Sequence, residues 1–334
     1  MPPSQWADIG GLVHYVDYGG PENGPRLVLL HGLGGSLLSW AAVAPALART
    51  GRVIAFDLPG FGRTPGSPRP VTLDANKVLL RRFLAQVAGE PAIVVGHSMG
   101  ATIAAMLSAE HAASTAGLVL VDPAVPWQFE GSGGGLRLSD LVSGLVQKAA
   151  TPGQASQQGR VILEQALRLA QTGYERASQI QAQGIERNLA AIRARLDNGE
   201  MNSDMLAAAR SLTLTVGRRR QFAAMLGRIS VPVLMLHGDR DRFVPIGAAR
   251  ATALANPAWQ FEVAKGIGHV PQLEDPEWTT ARILSWISAE GAEATRVARG
   301  ARTSGRLPAD TGNVIAGTAE EDDRPTLRKG HVGR

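Results

Sequence analysis

Ser98, His269 and Asp241 have the residue types and the local settings for acyl chemistry. Ser98 stands in Gly96-His97-Ser98-Met99-Gly100, directly after the β-branched run Ile93-Val94-Val95 and before an alanine-rich helical stretch over 101–110. A strand that runs into a helix through so sharp a turn needs glycine on both sides of the apex. The apex hydroxyl is then lifted clear of the sheet at a helix N-terminus, where unpaired N–H groups favour developing negative charge. A serine so placed can attack a carbonyl carbon, given a base for its proton, an acid to orient the base and donors for the oxyanion. His269, in the glycine-flanked loop Gly266-Ile267-Gly268-His269, is the candidate base. Asp241 is the candidate acid, and Asp122, at the end of an earlier strand, is the alternative position for it. The backbone N–H groups of Met99 and Leu33 are the candidate oxyanion donors. His97, His31 and His237 read as packing or bracing residues, and Asp57 as the residue that fixes the Pro59-Gly60-Phe61-Gly62 loop.

These residues need a scaffold that gathers strand ends. Two short antiparallel strands are expected over 6–19. Continuous apolar runs then follow at Leu27–Leu30, 52–56, 92–95 and 117–121, as strands buried on both faces require. Helical patterns separate them, at 39–49, 72–87 and 101–110. Strand alternating with helix argues for a mostly parallel sheet flanked by helices, with reactive residues at the C-terminal strand ends. The rhythm breaks over 124–229, where only helical patterns occur, at 136–150, 160–171, 174–196, 205–214 and 220–229. It resumes with a strand at 233–237, a helix at 246–254, a strand at 259–263 and a helix at 276–288. The expected organisation is therefore a core in two parts, 1–123 and 230–290, an all-helical cap at 124–229, and a mostly disordered tail at 291–334. Trp127 and Phe129, where the chain leaves the sheet for the cap, are candidate pocket walls.

Composition narrows the function further. In 334 residues there is no cysteine, which excludes disulfides, thiol catalysis and cysteine metal sites. The net charge of +5 is spread along the chain, with one tight cluster at Arg218-Arg219-Arg220, and aromatic residues make up only 5%. Neither favours nucleic acid as a partner. No apolar stretch is long enough to span a bilayer, while peripheral contact with a membrane surface stays open. With no basic-then-apolar leader in the first residues, a cytoplasmic location is expected. No His-x-x-x-His pair or carboxylate cluster at ligand spacing suggests a metal, and the chemistry calls for no cofactor.

Five segments occur in order: His31-Gly32-Leu33-Gly34-Gly35, Asp57-Leu58-Pro59-Gly60-Phe61-Gly62, Gly96-His97-Ser98-Met99-Gly100, Gly238-x-x-Asp241-x-x-Val244-Pro245 and Gly268-His269-x-Pro271-x-x-Glu274-x-Pro276. Together they resemble the α/β-hydrolase superfamily, nearest its cap-bearing members related to epoxide hydrolases, serine esterases and cofactor-free haloperoxidases. The resemblance covers 6–123 and 230–289, and the cap only by its place. Epoxide hydrolases and haloalkane dehalogenases carry aspartate at the elbow, where this chain has Ser98. The resemblance therefore implies acyl-enzyme chemistry on a small apolar acyl substrate, with an esterase or lipase-like activity expected first. A carbon–carbon bond hydrolase, an acyltransferase on the same triad and a slow-turnover ligand receptor are the alternatives.

Overall fold

The computed structural model describes residues 1–126 and 200–303, with side chains described for 1–126 and 203–290. Eight strands form one sheet: β1 (Ser4–Asp8), β2 (Leu12–Gly19), β3 (Arg26–Leu30), β4 (Arg52–Phe56), β5 (Ala92–His97), β6 (Thr115–Val121), β7 (Val233–Gly238) and β8 (Gln260–Ala264). Their order across the sheet is β1-β2-β4-β3-β5-β6-β7-β8. β1 and β2 pair antiparallel, β2 joins β4 antiparallel, and every pair from β4 to β8 is parallel. The longer described helices are α1 (Leu73–Phe83), α2 (Met99–Glu110), α3 (Glu200–Gly217), α4 (Arg219–Leu226), α5 (Ile246–Ala255) and α6 (Pro276–Thr303).

The middle of the sheet explains the architecture. Leu27 to Leu30 of β3 and every residue of β5 and β6 are buried, so both faces of these strands must be covered. α2 packs on β5 and β6 and is itself buried from Met99 to Ser108. Strand order reverses between β3 and β5: the chain leaves β3 for β4 on one side and returns to β5 on the other. The loops after β3 and β5 therefore open side by side at a topological switch point, where sheets of this kind leave room for a ligand.

Thr72 caps α1 by accepting from the Ala75 N–H, and Arg81 and Arg82 stand in its last turn, as the helix dipole favours. Phe83 of α1 stacks on Phe56 of β4 at 4.3 Å between ring centroids and meets Tyr15 of β2 edge-on at 5.7 Å. Phe83 has no solvent exposure. Phe83→Ala is expected to lower stability by about 3–5 kcal/mol, read from denaturant unfolding, because a large buried ring leaves a cavity three elements must share.

Two stretches differ from the periodicity. The expected helix at 39–49 is instead a single tight turn at Leu37–Trp40 and a short helix at Ala44–Leu47. Ser36 starts the first by accepting from the Leu38 N–H, and Pro45 opens the second. At the other end, α6 continues past Ser288 to Thr303, into the stretch expected to be disordered. That stretch is rich in Ala, Glu and Arg, which extend a helix readily once it has been nucleated. Of the expected cap helices, those at 205–214 and 220–229 correspond to α3 and α4. The others, with Trp127 and Phe129, lie outside the described residues. Among the described residues, no helix is long and apolar enough to cross a membrane.

Candidate active site

The turn between β5 and α2 is built on close backbone approach. A Cβ at Gly96 would lie 2.5 Å from the Ala101 nitrogen, and one at Gly100 would lie 2.5 Å from the His31 carbonyl oxygen. Only glycine permits strand, turn and helix to close in this way. Ser98 between them has φ 49° and ψ −113°, a strained backbone for a residue with a side chain. Its N–H donates to the Val121 carbonyl at 2.9 Å, and its carbonyl accepts from the Thr102 N–H at 3.1 Å. The strain is thus held from the β6 side and from within the helix.

His269 follows β8, and Asp241 follows β7. The structure brings both to Ser98. Ser98 Oγ is 3.1 Å from His269 Nε2, and His269 Nδ1 is 2.7 Å from Asp241 Oδ2. The imidazole lies between the rings of His97 and Phe243, each 5.0 Å away between centroids. The other carboxylate oxygen of Asp241 accepts from the N–H groups of Phe243 and Val244, at 2.7 and 2.9 Å. Burial pushes the Asp241 pKa up. The charge and hydrogen bond of His269, the charge of His237 and the Val244 N–H more than offset this, and hold it below the usual carboxylate range.

Several residues hold this arrangement in register. Glu274 accepts from the N–H groups of Gly268 and Val270, at 2.8 and 3.2 Å, and so clamps both sides of His269. The His97 Nε2–H donates to the His269 carbonyl at 2.7 Å, tying the histidine loop to the elbow. Burial, with the charge of His269, drives the His97 pKa down to about 3, which keeps its ring neutral. The sequence signalled Glu274 within the segment around His269, but its spacing alone gave it no role.

The loop bearing Leu33 lies directly against the elbow: a Cβ at Gly32 would come within 2.7 Å of His97 Nδ1 and 3.1 Å of the Ser98 Cβ. His31 braces that loop, as expected. Its Nδ1–H donates to the Gly32 carbonyl at 2.8 Å, and its Nε2 accepts from the Leu58 N–H at 3.0 Å. Burial lowers its pKa, against the opposing pull of Asp57 and the Gly32 carbonyl. Met99 is the first residue of α2, directly after Ser98, so its N–H has no partner within the helix. Asp57 is wholly buried and ties loops together: it accepts from Leu37 N–H, Arg63 N–H and the His14 ring, at 2.7, 2.8 and 2.7 Å.

Side chains from different strand ends also gather in ways that sequence spacing did not reveal. Asp122, His237 and Asp241 place ligand-type atoms within 4.8 Å of one another, as do His97, Asp122 and His269. Asp241 is already taken by His269 and two backbone N–H groups, and His237 Nε2 by the Val244 carbonyl at 2.9 Å. Asp241 and His237 Nε2 are thus engaged by the protein itself.

A family model described as the alpha/beta hydrolase fold matches residues 25–276. The chain belongs to this family. The fold and the hydrolase family implied by the motifs are therefore those found. Among curated relatives of this α/β hydrolase, the pimeloyl-[acyl-carrier protein] methyl ester esterase of Aromatoleum aromaticum is 30% identical over 266 residues, which are 76% of this chain and 95% of that protein. The dihydrolipoyllysine-residue acetyltransferase component of the acetoin cleaving system of Pseudomonas putida is 26% identical over 293 residues, covering 86% of this chain and 70% of that one. Among solved structures, a thermophilic esterase from Thermogutta terrifontis superposes with a TM-score of 0.60 at 23% identity, over 87% of this chain and 99% of that one. A bromoperoxidase from Bacillus anthracis superposes with a TM-score of 0.64 at 20% identity, over 85% and 99%. The structural likenesses speak for the fold alone.

Proposed function

We propose that this α/β hydrolase cleaves a carboxylic ester, or a related acyl bond, through an acyl-enzyme intermediate. The observation that carries the reading is the continuous relay Ser98 Oγ–His269 Nε2, His269 Nδ1–Asp241 Oδ2, at 3.1 and 2.7 Å. In this reading His269 takes the proton as Ser98 Oγ attacks the acyl carbon. The Leu33 and Met99 N–H groups hold the oxyanion, each worth about 10²–10³ in rate. His269 passes the proton to the leaving alkoxide. Water then gives a proton to His269 as its oxygen bonds the acyl carbon, and His269 returns that proton to Ser98 Oγ as the acyl–Oγ bond breaks and the acid leaves. Asp241 keeps His269 in the tautomer that can accept at Nε2. These steps use no metal or cofactor.

The substrate is proposed to be a small apolar acyl ester held under a helical cap spanning 124–229, with Trp127 and Phe129 as pocket walls. The ester-cleaving relative from Aromatoleum aromaticum supports the bond type. The experiment is hydrolysis of p-nitrophenyl esters with acyl chains from two to sixteen carbons. Turnover with a preferred chain length is expected. Silence at every length, with cleavage of a ketone substrate at a carbon–carbon bond or tight ligand binding without turnover, would overturn the ester reading. The Pseudomonas putida relative gives specific weight to a second reading, acyl transfer on the same residues. Added alcohol or thiol acceptors test it: transfer products exceeding the free acid would favour a transferase.

A further inference from the structure

β6 and β7 run parallel with Val121 opposite Leu236, so Asp122, one residue past β6, and His237, still within β7, lie side by side. Neither has any solvent exposure. Asp122 has φ 41°, and it and Ser98 are the two non-glycine residues with positive φ among the described residues. Asp122 Oδ1 accepts from the Gly238 N–H at 2.9 Å and lies 3.2 Å from His237 Nδ1. Asp122 Oδ2 and His237 Nδ1 have no hydrogen-bond partner. On its other side, His237 Nε2 donates to the Val244 carbonyl at 2.9 Å and stands 3.4 Å from Asp241 Oδ2, the oxygen that receives the His269 Nδ1–H. We infer that Asp122 is held as the neutral acid and acts as a positioning residue: its proton fixes the tautomer of His237, whose Nε2–H then supports Asp241. This rests on the proposed role of Asp241 and deepens it.

The alternatives fail on proton placement. With Nε2–H given to Val244, a neutral His237 has a bare lone pair at Nδ1. An ionised Asp122 would set a second negative oxygen 3.2 Å from that lone pair, away from water. The groups around Asp122 also oppose a charge there. The opposition comes from Asp241 after β7 and Glu274 from the turn Pro271–Glu274, both acidic; His97 and His269, each with a ring nitrogen within 4.8 Å, do not add to it. Burial first, then the charges of Asp241 and Glu274, push the Asp122 pKa well above the usual carboxylate range, against the Gly238 N–H. Burial likewise lowers the His237 pKa, despite the pull of Asp241 and the Val244 carbonyl. Without the Asp122 proton, His237 could take its hydrogen on Nδ1. A lone pair would then face the Val244 carbonyl and the triad carboxylate.

Asp122→Asn and Asp122→Ala test this. Both contacts fall on Asp122 Oδ1, so asparagine, neutral like the proposed acid, can keep the Gly238 N–H on its oxygen or turn its NH₂ to His237 Nδ1 but not both; alanine offers neither. With kcat normalised by active-site titration, alanine is expected to lose about tenfold or more at little changed KM, and asparagine to lose clearly less than alanine. If asparagine loses as much as the triad variants, Asp122 is an ionised acid and the inference is overturned. Stability against pH reads the same proton without turnover. The folded wild type keeps a proton at Asp122 that the unfolded chain releases above about pH 4, so this residue makes stability fall as pH rises from about 4 to 7. In Asp122→Asn that contribution is absent, and the variant should gain on the wild type as pH rises. Infrared spectra should show a carboxylic-acid carbonyl band at neutral pH that Asp122→Asn lacks. Parallel pH curves and no such band would sink the inference, even if alanine fails to fold. If instead Ser98 proves not to be the nucleophile, the pH and infrared arms still report on Asp122.

Discussion

Ser98→Ala is expected to lower kcat by about 10⁴–10⁶ while the protein keeps its fold and its affinity for the ester. The size of this loss separates a member of the proposed relay from its neighbours. Removing one oxyanion donor costs about 10²–10³, and losing a packing contact beside the site costs less. A loss of several orders with KM little changed marks a member of the proposed Ser98–His269–Asp241 relay, and covalent labelling then singles out the one that forms the bond. Alanine lacks the hydroxyl but leaves the backbone bonds of the turn in place, since the Ser98 N–H reaches Val121 and its carbonyl receives Thr102. The check is p-nitrophenyl ester turnover of wild type and variant in parallel, with fluorophosphonate labelling as a second readout. Wild type should label and turn over, and the variant should do neither. Equal activity of the two would place the nucleophile elsewhere and remove the acyl-enzyme mechanism. Equal silence would leave Ser98 unsupported as a hydrolytic nucleophile and favour a ligand receptor.

What made Ser98 readable in the sequence is that its surroundings are local. β5, the turn and α2 are contiguous, and the two glycines announce the close approach that the turn needs. β3 and β6 are legible for a similar reason, because a strand buried on both faces must be apolar throughout. His269 and Asp241 required one further step, that parallel strands deliver their C-terminal loops to one edge. The pairing of Asp122 with His237 was not legible. It depends on β6 and β7 being neighbours in register, and the intervening sequence, 122–232, contains nothing that fixes which strand pairs with which. The break at Leu37–Trp40 was hidden because its apolar residues satisfy helical spacing while being buried by contacts from elsewhere. The extension of α6 was hidden by composition: few large apolar residues argue against a core but not against a helix.

Asp241→Asn is expected to lower kcat by about 10⁴ with the histidine still in place. The asparagine oxygen can keep the Phe243 and Val244 N–H bonds, which turns its NH₂ toward His269 Nδ1. His269 must then accept at Nδ1 and carry its hydrogen on Nε2, where it faces Ser98 and cannot take the serine proton. Rate measurement at saturating ester checks this, and a loss under about tenfold would show that the acid is elsewhere. Stability supplies an independent sign. The folded-state pKa of Asp241 is depressed, so its carboxylate contributes stability above the unfolded carboxylate pKa. That contribution is lost as pH falls through the depressed value. Asp241→Asn should therefore be less stable than wild type at neutral pH, with the gap closing on acidification. Asp122→Asn is expected to behave in the opposite sense, gaining on the wild type toward neutral pH, because that carboxyl is neutral in the fold. Two carboxyl groups within 4.8 Å ligand-atom reach of one another, His237 between them, would then have opposite protonation states. That division leaves one negative charge in the buried cluster, aimed at His269, where the proposed reaction needs it.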